Sequence, residues 1–215
     1  MYWFSERTKR ASVDAKGDVG VIKGFRQLLL GEDHVCPWWF AYTFDNPLRR
    51  LIHPPEQLFE GLVREGQTAI DIGCGMGHFT LGLARMVGQS GQVIAVDLQE
   101  KILTLVRQRA ARAGLLDRIE ICQAAAERLH VGEKVEFALA FWMVHEVPDK
   151  PQFFKAVASI LKPSAHFLLV EPKGHVTQAV FEQEVTQAQA AGLIRVKYPP
   201  VAISRAALFV APSEN

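Results

Sequence analysis

Short apolar runs rich in β-branched residues alternate along the chain with segments in which apolar residues recur at helical spacing. The runs predict five strands, at 68–70, 92–96, 118–122, 137–141 and 166–170. The helical spacing predicts four helices, at 78–87, 99–113, 151–162 and 176–191. Strands and helices that alternate in this way, with short connections, indicate right-handed βαβ units and an α/β fold with a doubly wound parallel sheet.

Two further segments lie outside this alternation. The β-like runs 194–198 and 206–210 are separated by Pro199-Pro200 and a turn, which favours a closing hairpin. At the other end, about 65 residues precede the first strand, and 56–63 is predicted to be a short helix. We therefore expect an N-terminal extension over 1–64 and one globular domain over 65–215.

The first strand ends in an acid, and three alternating glycines follow before the first helix: Asp71, Gly73, Gly75 and Gly77. Glycine has no Cβ and tolerates positive φ, so the backbone here can approach a ligand closely. A loop of this kind at the start of a helix is typical of nucleotide-type cofactor sites. The spacing does not match the dinucleotide-binding pattern G-x-G-x-x-G, because the third glycine comes one residue early and His78 takes a position that requires a small residue.

A second acid, Asp97, ends the second strand, about 20 residues beyond the glycine loop. A carboxylate at this position can accept both hydrogen bonds of a ribose diol. The alternative is that Asp97 only caps the helix that begins near Gln99.

Residues 69–77, Ala-Ile-Asp-Ile-Gly-Cys-Gly-Met-Gly, resemble the glycine loop of class I S-adenosylmethionine-dependent methyltransferases. Three later segments are similar to further motifs of that family: 124–129 to its G-D-A-E-x-L turn, 137–149 to its fourth-strand motif, and 161–165 to its L-K-P-G-G turn. The resemblance covers about 66–172. It is strongest to small-molecule C-, O- and S-methyltransferases of the quinone and arsenite type.

The resemblance implies S-adenosylmethionine as the cofactor and a Rossmann-like seven-stranded sheet of order 3-2-1-4-5-7-6 with strand 7 antiparallel. It also implies a set of cofactor-binding residues: Asp71, Gly73, Gly75, Gly77, Asp97, Leu98, Ala125, Ala126 and Phe141. Ala125 departs from the family pattern, which has an acid that contacts the adenine amine. Adenine would then be read by the backbone of Ala126, by Leu98 or by Gln123, with about 1 kcal/mol of binding lost.

Methyl transfer from a sulfonium gains mainly from placing the nucleophile in line with the methyl group. An acceptor such as a phenol or an activated carbon also needs a base. His145 follows the fourth strand and Glu171 ends the fifth, so both are candidate catalytic residues at the same edge of the sheet. Alternatively, His145 is structural and bonds the turn at 147–148. The paired acids of metal-dependent catechol-type methyltransferases are missing after the fourth strand, so we expect no metal.

The N-terminal segment of related enzymes forms a lid over cofactor and substrate, and aromatic rings in such a lid can hold a sulfonium or an apolar acceptor. Three residues of this segment are therefore candidates for substrate binding, Trp38, Trp39 and Tyr42, and Trp142, directly after the fourth strand, is a fourth candidate. The alternative is that these rings only pack their segments onto the sheet.

Composition narrows the function further. Among the 215 residues, 24 Lys and Arg nearly balance 23 Asp and Glu, which gives no electrostatic case for nucleic acid. No apolar run is long enough for a membrane span or a secretory signal, and three cysteines do not form a disulfide framework. Arsenite methylation needs several thiols at the cleft, and only Cys36 is a candidate.

The sequence thus predicts a cytoplasmic S-adenosylmethionine-dependent methyltransferase, monomeric or homodimeric, that acts on a small-molecule acceptor. Two alternatives are a regulatory protein that binds the cofactor without catalysis, favoured by the missing adenine acid at Ala125, and an NAD-type oxidoreductase, favoured only by the shared loop-plus-acid arrangement.

Overall fold

A computed structural model describes residues 47–124 and 134–213 of the chain. Their seven strands are β1 Thr68–Ile72, β2 Gln92–Asp97, β3 Ile119–Gln123, β4 Val135–Phe141, β5 Leu161–Pro172, β6 Ile194–Lys197 and β7 Ser204–Val210. Their six α-helices are α1 Pro47–Ile52, α2 Pro55–Leu58, α3 His78–Met86, α4 Glu100–Arg112, α5 Lys150–Ile160 and α6 Gln178–Ala190. Two 3-10 turns lie at Leu116–Arg118 and Val144–Glu146.

The strands form one sheet of order β3-β2-β1-β4-β5-β7-β6. The first five strands are parallel, whereas β7 runs antiparallel to both β5 and β6. This confirms the predicted fold class, strand order and closing hairpin. The carboxyl ends of the parallel strands therefore meet at one edge, with the order reversing between β1 and β4, which is where open α/β sheets bind ligands.

The core lies on both faces of the sheet, because successive side chains of a strand point to opposite faces. Ile70 and Ala138 belong to one buried cluster, whereas Ala69 and Phe137 belong to the other. Both faces are covered, which explains why the parallel strands read as continuous apolar runs.

The helix predicted at 56–63 is shorter than expected. Helix α2 covers only Pro55–Leu58, and Gly61 has a φ of +74°, which no helical residue adopts. Phe59 and Val63 are nevertheless buried in the second cluster. A Cβ added to Gly82 of α3 would lie 2.3 Å from Cβ of Pro55, so α2 packs directly on α3.

Strand β5 begins at Leu161, five residues before the predicted start at 166. At the predicted turn, 161–165, the pairing of β5 with β4 is irregular. Leu161 pairs with Val135, and the regular register begins only at His166. Ser164 has a φ of +62° at the position where the family motif has glycine.

Among the described residues, no helix is both long enough and apolar enough to cross a membrane.

Candidate active site

The glycine loop folds back onto the end of β2. Gly73, Gly75 and Gly77 have φ values of +70°, +50° and +82°, a region that side chains rarely adopt. The carbonyl of Val96 accepts from the N–H of Gly73 at 2.8 Å and of Cys74 at 2.9 Å. A Cβ on Gly73 would lie 2.9 Å from Cγ of Met143, whereas one on Gly75 would meet no atom within 4 Å. The loop is therefore packed at Gly73 and open at Gly75.

Asp97 lies at the end of β2, facing this loop. Its Oδ2 accepts from the N–H of Gly75 at 3.1 Å, and its Oδ1 accepts from the N–H of Gln99 at 3.0 Å. Burial raises the pKa of this carboxyl, although its backbone hydrogen bonds oppose the shift. Asp97 does contact the start of α4, as the capping alternative requires, but a carboxylate has about four acceptor positions, more than the backbone N–H groups of Gly75, Leu98 and Gln99 occupy. The capping and ligand-binding roles are thus compatible.

Asp71 is the other acid of the loop, and it is buried within β1. Its Oδ2 accepts from Oγ1 of Thr80 at 2.6 Å, which ties β1 to helix α3. Burial raises the pKa of Asp71 to about 6, against the opposing effects of the Thr80 hydrogen bond and the Arg49 charge. A buried acid of this kind destabilises the fold near neutral pH, because folding must desolvate its charge.

We expect the free energy of unfolding of Asp71→Asn, relative to that of the native protein, to rise by about 1–3 kcal/mol from pH 4.5 to pH 7.5. The folded native protein holds the Asp71 proton up to about pH 6, whereas the unfolded chain releases it near 3.8, so native stability falls over this range. Urea denaturation at both pH values measures the difference, with Asp117→Asn, at an exposed acid, as the control. A difference that does not change with pH would contradict the burial argument.

His145 and Glu171 are brought together at the carboxyl edge of the sheet. Nδ1 of His145 lies 2.5 Å from Oε2 of Glu171, and the other carboxylate oxygen of Glu171 accepts from the N–H of Val144 at 2.8 Å. Glu171 is 0% exposed, whereas the side chain of His145 remains 25% exposed. A buried carboxylate thus fixes the ring, and Nε2 is left as the proton-accepting nitrogen.

Opposing effects set the basicity of His145. Burial alone would lower its pKa, but the hydrogen bond and charge of Glu171 outweigh burial and raise the pKa above its ordinary value. The charges of Glu146 and Glu184 act in the same direction. The imidazole is therefore a stronger base than one in water.

An aromatic cluster lies where β4 ends. The ring of Phe141 lies 4.3 Å from that of Phe79 and 5.3 Å from that of Trp142, measured between centroids. Trp142 has a φ of +59°, and its Nε1 donates to Oγ of Ser204 at 3.0 Å. The Cζ atom of Arg49, from α1, lies 5.3 to 5.6 Å from the centroids of these three rings.

His53, just after α1, joins the same cluster. Its ring makes edge contacts with Phe141 at 5.1 Å and Trp142 at 5.3 Å, and its Nε2 donates to the carbonyl of Ala202 at 2.9 Å. Burial lowers the pKa of His53, so the neutral ring is favoured. The segment at 49–53 therefore covers the end of β4, a contact that the sequence interpretation did not identify.

The structure brings most of the predicted site residues to one edge of the sheet. Leu98 follows Asp97 and is half-buried, and its carbonyl accepts from Nε2 of Gln123 at 3.0 Å, so the Gln123 amide is partly engaged. Five predicted residues lie outside the described part of the chain: Trp38, Trp39, Tyr42, Ala125 and Ala126. Arg49, His53, Thr80 and Glu184 were missed; of these, only Glu184 has a sequence signal, as an acid on the apolar face of a helix.

This chain is similar to known methyltransferases in sequence and in fold. Residues 69–164 match the profile of the family described as Methyltransferase domain. The ubiquinone/menaquinone biosynthesis C-methyltransferase UbiE of Escherichia coli O1:K1 is 30% identical over 110 residues, which cover 51% of this chain and 44% of that protein. The chain thus spans less than half the length of the curated relatives it matches.

Two solved structures share the fold. A SAM-dependent methyltransferase from Aquifex aeolicus superposes with a TM-score of 0.70 at 22% identity, covering 82% of this chain and 99% of that one. A SAM-dependent O-methyltransferase from Thermotoga maritima superposes with a TM-score of 0.60 at 23% identity, covering 75% and 66% of the two chains. The sheet order, the glycine loop and the sequence match agree, so residues 69–164 are similar to the methyltransferase domain of class I S-adenosylmethionine-dependent methyltransferases.

Proposed function

We propose that this protein transfers a methyl group from S-adenosylmethionine to a small molecule whose reacting atom is activated by loss of a hydroxyl proton. The observation that carries the proposal is the 2.5 Å contact between His145 Nδ1 and the fully buried Glu171, at the sheet edge that also holds the glycine loop. A base in this arrangement serves an acceptor that must ionise before it attacks.

The described residues fit the cofactor. The space beside Gly75 is open, since an added Cβ would meet nothing within 4 Å, and the Asp97 carboxylate beside it keeps acceptor capacity for ribose. Gly73 and Gly75 would lie along the cofactor, with Asp97 on its ribose and Asp71 behind the loop. When bound, the cofactor supplies an electrophilic methyl group on a positively charged sulfur.

The remaining chemistry belongs to His145. Glu171 accepts a hydrogen bond from Nδ1–H, which fixes the tautomer in which Nε2 carries the lone pair. Nε2 takes the hydroxyl proton of the acceptor, and the resulting imidazolium is stabilised by Glu171 and by Glu146, whose Oε1 lies 3.9 Å from Nε2. The bond broken is the acceptor O–H, and its electron pair remains on the acceptor for attack on the methyl group.

The acceptor class follows from this base. A phenol ionises near pH 10, and the raised pKa of His145 reduces the pKa difference between the acceptor and the base. We therefore favour a phenol, hydroquinone or enol, methylated on oxygen or on the adjacent carbon. The UbiE relative is named as a C-methyltransferase of quinone biosynthesis, which supports this class.

Replacing Asp97 by alanine should weaken cofactor binding by about 2–3 kcal/mol, the scale for hydrogen bonds to a charged group. The same change removes the carboxylate that positions the Gly75 N–H, so both effects act in one direction. Calorimetry with S-adenosylhomocysteine measures the change, and circular dichroism reports whether the fold is kept. A folded variant whose dissociation constant changes by less than threefold would mean that Asp97 only caps α4.

The proposal is tested by turnover with methyl-labelled S-adenosylmethionine and a panel of phenols, hydroquinones, enols, amines and thiols. We expect labelled product from the ionisable hydroxyl compounds, with kcat/KM rising through the pKa of His145. Binding of S-adenosylhomocysteine without any product would favour a non-catalytic regulatory protein. Binding of NADH in its place would favour an oxidoreductase.

We also infer a cytoplasmic protein, monomeric or homodimeric, that has no nucleic-acid partner. The near-balance of charges and the two buried free thiols, Cys74 and Cys122, support this. The N-terminal lid over 1–64 remains a prediction, and the contacts of Arg49 and His53 above the end of β4 support it.

A further inference from the structure

One side of the glycine loop packs against helix α4. The γ-carbons of Val106 would lie 3.3 Å from a Cβ added to Gly77, so the loop and the helix are in direct contact. One turn further along α4, Nη1 of Arg109 donates to the carbonyl of Met76 at 2.8 Å. Residues three apart share a face of a helix, and helical side chains point toward the N-terminus, so Arg109 reaches the loop alongside Val106.

The carbonyl that Arg109 binds belongs to a tight turn. The N–H of Gly77 donates to the carbonyl of Cys74 at 3.0 Å, which closes a four-residue turn over 74–77. The peptide between Met76 and Gly77 is therefore fixed on both sides, because its oxygen accepts from Arg109 and its N–H donates to Cys74. This peptide cannot rotate without breaking both hydrogen bonds.

Gly75 lies within this turn and faces the open space beside the loop. Its φ is +50°, and a Cβ added to it would meet no atom within 4 Å. Its N–H donates to Oδ2 of Asp97, whose Oδ1 accepts from the N–H of Gln99 at the start of α4. Both the glycine loop and the candidate ribose-binding acid are thus connected to one helix, the acid at its first turn and the loop at Arg109.

The chemistry of Arg109 suits a residue that fixes a backbone carbonyl. A hydrogen bond from a charged donor is shorter and stronger than one between neutral groups. Its guanidinium is planar and always charged, so the donor is present at every working pH. Arg109 is half-buried against the loop, whereas Arg107, two residues earlier on the same helix, is exposed as surface arginines usually are.

We propose that Arg109 is a positioning residue for the cofactor: by binding the Met76 carbonyl it fixes the turn over 74–77 in the conformation that presents Gly75 to the ligand. This inference rests on the proposed function. In this role Arg109 acts through the Met76–Gly77 peptide and not by direct contact with the cofactor.

The test is calorimetry of the full chain with S-adenosylhomocysteine in three variants, with circular dichroism to show that each is folded. Arg109→Met keeps a long stem and removes the charge and the donor, so the dissociation constant should rise about tenfold or more, the scale of one hydrogen bond from a charged donor. Arg109→Lys keeps a charged donor and should recover most of that loss. Arg107→Met is the matched control, and it should bind the ligand as the native protein does.

An unchanged dissociation constant in folded Arg109→Met, or a loss that lysine does not recover, would overturn the inference and leave Arg109 a residue that only packs α4 on the loop. If Arg109→Met does not fold, NMR of the native protein decides. During titration with S-adenosylhomocysteine, the signals of the Gly75 N–H and the Arg109 guanidinium must change together, and an Arg109 signal that does not respond would overturn the inference. Failure of the proposed function would appear separately, as a native protein that does not bind S-adenosylhomocysteine or that forms no product.

Discussion

Replacing Gly75 by valine should weaken binding of S-adenosylhomocysteine by a hundredfold or more while the fold persists. The added side chain would project into open space beside the loop, since nothing in the protein lies within 4 Å of its Cβ. That space is where the cofactor is expected, so the valine and the ligand would compete for it. Calorimetry measures the affinity, and thermal unfolding measures the stability.

Valine at a φ of +50° also strains the backbone, by roughly 1–2 kcal/mol. Gly114 supplies a matched control, because its φ is +66° and a Cβ there also meets nothing within 4 Å, but it lies after α4 and away from the loop. Gly114→Val should therefore lose similar stability and keep full affinity. Equal affinity losses in the two variants, or none in folded Gly75→Val, would place the cofactor elsewhere.

The second large effect is expected at His145. His145→Ala should lower turnover by about 10²-fold or more and leave cofactor affinity nearly unchanged, since the ring serves the acceptor and not the cofactor. The ionisation of His145 should also disappear from the pH profile of kcat/KM. Because the native pKa is raised, we expect that ionisation above the ordinary histidine value.

His175→Ala is the control for this experiment. Its ring stacks on His145 but is exposed and makes no contact with Glu171 that the structure records. We expect a change in turnover of less than about threefold. Full turnover in His145→Ala would show that the acceptor needs no base, and the 2.5 Å contact with Glu171 would then be structural.

Most of the fold could be predicted because its signals are local and repetitive. Wholly apolar runs such as 137–141 favour a parallel strand covered on both faces, and short connections leave few topologies. The order of the last two strands came from the family resemblance and not from periodicity. Helix 56–63 was predicted too long because Gly61 has a positive φ that ends the helical conformation, and because Phe59 is buried against Phe79 of α3.

The candidate site, like the fold, could be predicted only in part from the sequence. The glycine loop and Asp97 are contiguous with strands, so their placement follows from the strand pattern. The contact between His145 and Glu171 joins residues 26 apart and was expected only as a shared edge of the sheet. The packing of Arg49 over three rings depends on tertiary distances that no local pattern contains.

Calorimetry of the full chain with S-adenosylhomocysteine and, separately, with NADH is the most direct test of the assigned cofactor. We predict micromolar binding of S-adenosylhomocysteine, about −8 kcal/mol, and no heat of binding with NADH. Absence of binding at millimolar S-adenosylhomocysteine, or binding of NADH in its place, would contradict the account.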